Sequence, residues 1–392
     1  MTTLKKNLSV TLVFLLPALC FAAEKLTVTA SNPLPLARSS QTIELTAQQL
    51  APLGEKDLNR LHVLDAAGKE VLSQAVDTNY DDYHTPDILI FQSDFAPAET
   101  KTFTVSAGTR HEYKKEDFKA YGRFVRERFD DFAWENDRIA HRTFGRALET
   151  WKGEPLTSSS IDVWAKRVSY PVIDGWYMSD NYHHDSGEGM DDYTSGISRG
   201  DGGDGLWAGN RLWVSRNFVN SSTLAAGPIR VLFELDYEPF EVNGISVSEV
   251  KRVSLDAGQN LDHYQSFYTP FTRPEKPVTL TAAMGLKKVA GEQLELNATN
   301  GWLVIWQKME KQPGSEGVAL VFDPKQFVQP AEDKLNNLIV TKVSDKNVAD
   351  YWAGFGWDQT GQFADAAAWE KYVDEFALDL QSPIEVTVAE VK

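Results

Sequence analysis

The chain has 392 residues, with 39 Lys and Arg against 56 Asp and Glu, a net charge of −17, 42% hydrophobic residues and one cysteine. Length and apolar content describe one large or two ordinary globular domains and exclude a disordered chain. The acid excess excludes nucleic acid as a partner, because phosphate binding needs a basic surface.

Lys5 and Lys6 precede an apolar run from Leu8 to Phe21, followed by Ala22 and Ala23. This is the pattern of a secretory signal over residues 1–22, which predicts a periplasmic or extracellular protein. The run is short for a membrane span and no later stretch is long and apolar enough, so no membrane association is expected after signal removal. Cleavage removes Lys5, Lys6 and Cys20, leaving 37 basic against 56 acidic residues, about −19. Without a thiol, the mature chain has no disulfide, thiolate nucleophile or cysteine-ligated metal.

Residues 23–110 alternate β-type runs, such as Leu26 to Thr29, Ile88 to Phe91 and Thr102 to Val105, with Asp-Ala-Ala-Gly and Ala-Pro-Ala breakers. They read as a small N-terminal β-sandwich. The charged stretch from Arg110 to Lys119 is a linker or a short helix. Residues 120–392 also read as mainly β, with strands at Arg230 to Leu235, Trp302 to Trp306, Val318 to Phe322 and Asn337 to Val340. Ser344 to Trp357 has no clear period. A helix is expected from Asp365 to Leu378, with Trp369, Tyr372, Phe376 and Ala377 on one face, and a strand from Ile384 to Val391 closes a sheet. The fold class is therefore mainly β, with a large antiparallel β-sandwich domain following the small one.

Three segments concentrate the chemistry. In the first, Trp134, Asn136 and Arg138 alternate along a strand, and continued alternation puts Arg142 with them and Ile139, His141 and Thr143 on the other face. Asp162, Trp164 and Lys166 repeat the pattern in the second. Indole faces pack on sugar C–H groups and planar polar groups bind hydroxyls and carboxylates, so these positions, with Glu135, are candidate substrate contacts; the alternative is a solvated, ion-paired strand. The third runs from Asp180 to Tyr193, and its glycines imply a loop. His183 or His184 suits a general acid or base near neutral pH, Tyr193 or Tyr182 a proton donor, and Asp185, Glu188 and Asp191 hydroxyl contacts. Two readings compete here: a divalent metal held by His183, Asp185, Glu188 and Asp191, and a loop tied by its own hydrogen bonds. No cofactor is required by the organic-base reading. The run from Asp201 to Gly205 reads as a flexible turn. His62, His84 and His111 have no chemical neighbours in sequence and read as surface residues, and His263 as a packed or solvated one.

The segments Asp130 to Arg138 with Arg142, Ile161 to Lys166, and Tyr182 to Asp191 with Tyr193 and Gly196 resemble, in this order, a bacterial family of domains of unknown function, number 4861. In that pattern the shared histidine maps to His183, His184 falls at a variable apolar place, and Met190 stands where an aliphatic residue is usual. The resemblance covers most of the mature chain. It implies secretion, a setting among genes for acidic-polysaccharide breakdown (pectin or ulvan), and a supersandwich like that of sugar mutarotases and several polysaccharide lyases. It carries no assigned activity.

The resulting expectation is an exported enzyme acting on uronic-acid oligosaccharides by proton abstraction and elimination, as a lyase or dehydratase. His183 would be the base, Tyr193 or His141 the acid, Arg138, Arg142 and Asn136 the carboxylate clamp, and Trp134 and Trp164 the stacking platforms. Two alternatives stand beside it. One is a glycoside hydrolase drawing its carboxylate pair from Glu135, Asp185, Glu188 and Asp191; the other is a non-catalytic sugar-binding protein or mutarotase. The sequence does not fix the sugar, the linkage or the oligomeric state.

Overall fold

A computed structural model of the chain describes residues 23–78, 85–271 and 279–391. The signal segment, Cys20 and His84 lie outside them. No helix among the described residues is long and apolar enough to cross a membrane.

The expected β-runs all fall in strands, because each pairs an apolar inward face with a neighbour of matching alternation. In the N-terminal region a five-stranded antiparallel sheet, ordered Glu385–Glu390, Leu26–Ser31, Thr100–Ala107, Leu61–Leu64 and Glu70–Val71, faces a three-stranded one of Arg38–Thr46, Ile88–Phe95 and Ser73–Val76. Leu26, Val28, Leu45, Phe91 and Phe103 fill the space between them. The strand expected near residues 384–391 thus closes the small sandwich and not the large one: Leu26 pairs with Glu390 and Ser31 with Glu385. Between the regions, the charged stretch is a linker with one 3-10 turn, Lys115–Asp117.

The large sandwich has an eight-stranded sheet on one side, running from Asn220–Ala226 at one edge to Gln293–Asn297 at the other. Two five-stranded sheets lie across it. One holds Gly189–Met190, Ile161–Lys166, Ala140–Thr143, Asp131–Asn136 and Ala120–Val125; the other is centred on Asp201–Ala208, Thr281–Lys287 and Asn336–Lys342. A bridge between Ile161 and Gly200 joins them. Phe132, Trp134, Ile161, Val163, Phe233, Leu320 and Phe355 form the shared core. The fold class is the mainly-β antiparallel sandwich read from the sequence.

Two elements depart from that reading. Asp201 to Gly205 is not a flexible turn: it begins the buried strand Asp201–Ala208, with a bulge between Asp201 and Asp204. A Cβ at Gly202 (φ +95°) would sit 2.2 Å from that of Ala353 in the facing sheet, so the glycines record close packing rather than mobility. The aperiodic stretch ending at Trp357 contains the strand Val348–Trp357, which pairs on both sides with Leu261–Pro270 and Ser315–Phe322. It shows no alternation because the helix Ala366–Gln381 covers the outer face of this sheet, burying both sides. That helix starts at Asp365, whose side chain accepts from Ala368 N at 2.9 Å, and buries Trp369, Val373 and Ala377.

Candidate functional site

The sheet containing Asp131–Asn136 presents one face to the core and the other outward, under the short helix Ile173–Ser179 and the loop 180–193. Trp134 faces the core, opposite His141, while Arg142 pairs with Ala133 on the outward face. The alternation read from the sequence had put Arg142 with Trp134. A tight hairpin reverses the chain between Asn136 and Ile139, whose backbone groups bond at 3.0 Å, and a reversal resets the parity count.

Outward, Arg142 is the hub. Its Nε donates to Asp162 at 2.7 Å, Nη2 to Asp191 at 2.9 Å and Nη1 to the Tyr182 hydroxyl at 3.4 Å, with Asp131 at 3.6 Å from Nη1. The guanidinium also lies 5.4 Å from the ring centres of Trp164 and Tyr182. Three carboxylates around one guanidinium leave surplus negative charge. Burial and the neighbouring Asp162 push Asp191 well above the usual carboxylate range despite Arg142, and burial pushes Asp131 up to about 7.

This cluster floors a cavity of about 170 Å³, walled by Arg128, His183, Tyr193, Glu154 and Lys311. The loop is held against the sheet by Gly189 (φ +127°), where a Cβ would lie 2.0 Å from the Ala165 carbonyl oxygen, and by the Arg167 amide, which donates to the Glu188 carbonyl at 2.9 Å; within the loop the Asp191 amide donates to the Tyr182 carbonyl at 2.7 Å. The His183 side chain is 55% exposed, with Nδ1 3.2 Å from the Asp191 carbonyl oxygen and 3.4 Å from its carboxylate. A carbonyl only accepts, so Nδ1 carries the proton and Nε2 is left as a basic lone pair. Burial lowers the His183 pKa, helped by the charges of Arg142 and Lys311 and opposed by the Asp191 carbonyl, so the ring is neutral at neutral pH. Tyr193 is the reverse: burial, with Asp201 and Glu316 nearby, pushes its phenol well above 10, and its hydroxyl has no hydrogen-bond partner among the described residues.

Two cations at the cavity have donors to spare. Arg128 gives Nε to Tyr182 and Nη2 to Glu154, while its buried Nη1 has no hydrogen-bond partner among the described residues. Lys311 reaches the cavity from the turn after Trp302–Lys308, because the Asp192 carboxylate accepts the backbone amides of Glu310 (2.6 Å) and Lys311 (3.0 Å). Neither Lys311 nor Glu154 stands out in the sequence. Lys311 is more than a hundred residues from the motifs, and contacts of the folded chain link them: the Asp192 anchor and the Thr194 amide, which donates to Glu310 at 3.3 Å.

Of the residues singled out from sequence, His183, Tyr193, Arg142, Asp162 and Asp191, with Gly196, meet at this cavity. The others do not. Trp134 and Trp164 are fully buried: Trp134 Nε1 donates to Asp262 at 2.7 Å, and Trp164 stacks on Tyr182, so neither offers a face to a sugar. His141 lies in the core with its Nε2 3.0 Å from Asp262 and, unlike Tyr193, does not line the cavity. Glu135 and Lys166 form a buried pair at 2.7 Å; Glu135 also accepts the amides of Val172 and Ile173, and Lys166 donates to the Asn136 and Tyr170 carbonyls. Asn136 ties its hairpin by accepting the amides of Arg138 and Ile139, and Arg138 reaches Asn260 at 3.2 Å, so neither forms a clamp with Arg142. All four are scaffold. The set proposed for a metal is also split. Asp185 grips Arg167 through both oxygens and Glu188 accepts from Tyr170 and Trp176, leaving only His183 and Asp191 within reach of each other. Asp185 and Glu188 are likewise not at the cavity wall as substrate contacts.

A family profile described as a domain of unknown function (DUF4861) matches residues 30–386. The uncharacterized protein P7 of Formosa agariphila is 32% identical over 376 residues, covering 92% of this chain and 93% of that protein. Among solved structures, a protein of glycosyl hydrolase family 38 from Enterococcus faecalis aligns at 12% identity with a TM-score of 0.48, over 94% of this chain and 48% of its own. An alpha-mannosidase from Enterococcus faecalis V583 aligns at 9% identity with a TM-score of 0.44, over 95% and 47%. The chain spans about half the length of these two structures.

Proposed function

The chain belongs to the DUF4861 family, and from that premise we propose that it is an exported carbohydrate-active enzyme that cleaves or dehydrates uronic-acid oligosaccharides by β-elimination. The observation that carries this reading is the cavity itself. A neutral histidine, a protonated buried tyrosine and two cations with unspent donors line one small space.

Each group has a task in elimination next to a carboxylate. The substrate carboxylate takes the free Nη1 of Arg128 and the Lys311 ammonium, which also stabilise the enolate-like intermediate. His183 Nε2 removes the carbon-bound proton, and the electron pair forms the double bond as the β-oxygen departs. The Tyr193 hydroxyl protonates that oxygen, either a glycosidic oxygen or a hydroxyl leaving as water. Asp191, through its carbonyl and carboxylate, orients His183. Arg142 already bonds three acidic or phenolic partners and acts as the floor rather than the clamp.

The test is incubation with saturated and unsaturated pectin and ulvan oligosaccharides, following ultraviolet absorbance of the ene-carboxylate and product mass, with and without chelator. New absorbance with chain scission identifies a lyase, and loss of one water without scission a dehydratase. Scission with addition of water would overturn elimination and favour a hydrolase. Of the carboxylates read from the sequence for that alternative only Asp191 lines the cavity, where Asp162 joins it, and burial beside Asp162 pushes the Asp191 pKa up, as suits an acid catalyst. Binding without turnover would leave a sugar-binding protein.

Two smaller effects follow from the same geometry. Lys311→Ala should raise KM for an acidic oligosaccharide about tenfold, the worth of one charged hydrogen bond, with kcat less affected. An unchanged KM would remove Lys311 from the carboxylate site. The acid limb of the kcat/KM profile reports the free base, which must be unprotonated. Because the His183 pKa is lowered, that limb should lie below the ordinary histidine value of 6.5. A limb above that value would assign the base to another group.

A further inference from the structure

Apart from the residues of the cavity, the small sandwich gathers two histidines and a carboxylate from three segments of the chain. His62 lies in Leu61–Leu64, Glu70 in the adjacent strand Glu70–Val71, and His111 in the linker that leaves Thr100–Ala107. The strands pair with Leu64 opposite Glu70, which sets Glu70 diagonally beside His62 on the outer face. The two imidazole rings are 4.3 Å apart. Glu70 Oε1 is 2.5 Å from His62 Nδ1 and 4.0 Å from His111 Nδ1, and the three donor atoms all lie within 4.8 Å of one another. Neither histidine is the isolated surface residue that the sequence suggests.

The backbone fixes what these atoms can do. His62 Nε2 lies 2.8 Å from the Thr109 carbonyl oxygen, and His111 Nε2 lies 2.7 Å from that of Leu61. Carbonyl oxygens only accept, so in each neutral ring the proton sits on Nε2 and Nδ1 is a bare lone pair. A carboxylate is likewise acceptor-only at neutral pH. Two imidazole lone pairs and an anionic oxygen therefore converge on one point, an arrangement that repels itself unless a cation lies between them. A proton on one ring satisfies one contact; a divalent metal satisfies all three. Imidazoles whose second nitrogen donates to a backbone carbonyl are also the usual form of metal-ligating histidine, since that bond fixes the tautomer and the ring.

We infer that His62, Glu70 and His111 form a divalent transition-metal site, with Zn2+ the ion its donor set fits. Two imidazole nitrogens and one carboxylate are borderline ligands that suit Zn2+ and not Ca2+ or Mg2+, which take oxygen shells. Bonds of about 2.0–2.2 Å in a tetrahedral shell require the 2.5 Å pair of His62 and Glu70 to open and the 4.0 Å pair of His111 and Glu70 to close. Glu70, with a side chain 53% exposed, can move to provide that, and its open side leaves a fourth position to water. The ion would clip the linker at His111 onto the strand at His62, fastening the small sandwich to the segment that leads into the large one.

The experiment uses the full mature chain, freed of metal by chelator, and titrates it with Zn2+ in a calorimeter while following the melting temperature. One equivalent should bind and raise Tm. Glu70→Gln, a change at an exposed side chain, should weaken binding at least about tenfold, as loss of a metal-site group does. The double variant His62→Gln with His111→Gln should bind no stoichiometric Zn2+. His183→Gln at the cavity should bind like the parent. Co2+ in place of Zn2+ should give visible absorption of a four-coordinate centre that Glu70→Gln alters. Absence of stoichiometric binding to the parent, or binding unchanged in both Glu70→Gln and the double variant, would overturn the site. Loss of binding only in His183→Gln would move the metal to the cavity.

Discussion

His183→Ala should lower kcat on a uronic-acid oligosaccharide by roughly 10²–10⁴-fold, the usual worth of a positioned general base, while the melting transition stays close to that of the parent. The second half of this expectation comes from the surroundings of the ring. Its side chain is more than half exposed, it makes one 3.2 Å contact to the Asp191 carbonyl, and its removal opens no void in the core. Surface truncations away from the core change stability by only about 0.5 kcal/mol. His184, exposed and one residue further, is the control and should be neutral. Tyr193→Phe extends the test, because it removes only the hydroxyl. If His183 is the base and Tyr193 the acid, each variant loses most of the activity and the double variant loses little more, since the two act in one step. Full activity in His183→Ala with an unchanged melt would remove this residue from the mechanism.

The largest stability effect is expected at Arg142. Replacing it by Met leaves Asp131, Asp162 and Asp191 buried without their shared cation, and breaking a buried ion pair in this way costs roughly 3–5 kcal/mol. The cost should depend on pH. Burial pushes Asp131 up to about 7 and Asp191 above the usual carboxylate range, so acid favours their neutral forms, which need the guanidinium less. As pH rises they ionise, and the variant should lose more stability at pH 8 than at pH 5.5. Urea midpoints at the two values measure the difference. Arg142→Lys should recover only part of the loss, because one ammonium cannot match the fork that holds Asp162 and Asp191 at once. A loss below about 1 kcal/mol at pH 8 would mean that the cluster is neutral in the native state without its arginine.

Much of the architecture was legible because strand alternation and breakers are local signals. The helix from Asp365 shows its cap and its aromatic face directly in the sequence. Val348–Trp357 was not legible, since a strand buried on both faces has no period to read. Asp201–Ala208 was misread because glycine serves mobility and close packing alike, and only the Cβ of Ala353 distinguishes them. For the site, the loop carrying His183, Asp191 and Tyr193 declared itself through its density of ionisable groups. The error lay in the strands. Polar residues at Glu135, Asn136, His141 and Lys166 read as ligand contacts, yet each is consumed by a partner within the fold. Buried polar groups must be paired wherever they occur, so composition alone cannot separate a scaffold pair from a binding pair. Lys311 was invisible for the opposite reason: one surface lysine among many acquires its place through the turn that Asp192 pins.

The pairing of Leu26–Ser31 with Glu385–Glu390 sets an order of events during synthesis. The first strand leaves the ribosome early, but its neighbour on one side is made after every strand of the large sandwich. Until then the edge at Leu26–Ser31 stands open, with unpaired backbone groups that invite other chains. Closing it also requires bringing together residues separated by nearly the whole polypeptide, a late and slow kind of contact. The small sandwich is thus the first to be translated and the last to be sealed. A fragment ending before residue 385 should fold its large sandwich yet aggregate through the exposed edge, and adding the segment 383–391 as a separate peptide should restore solubility.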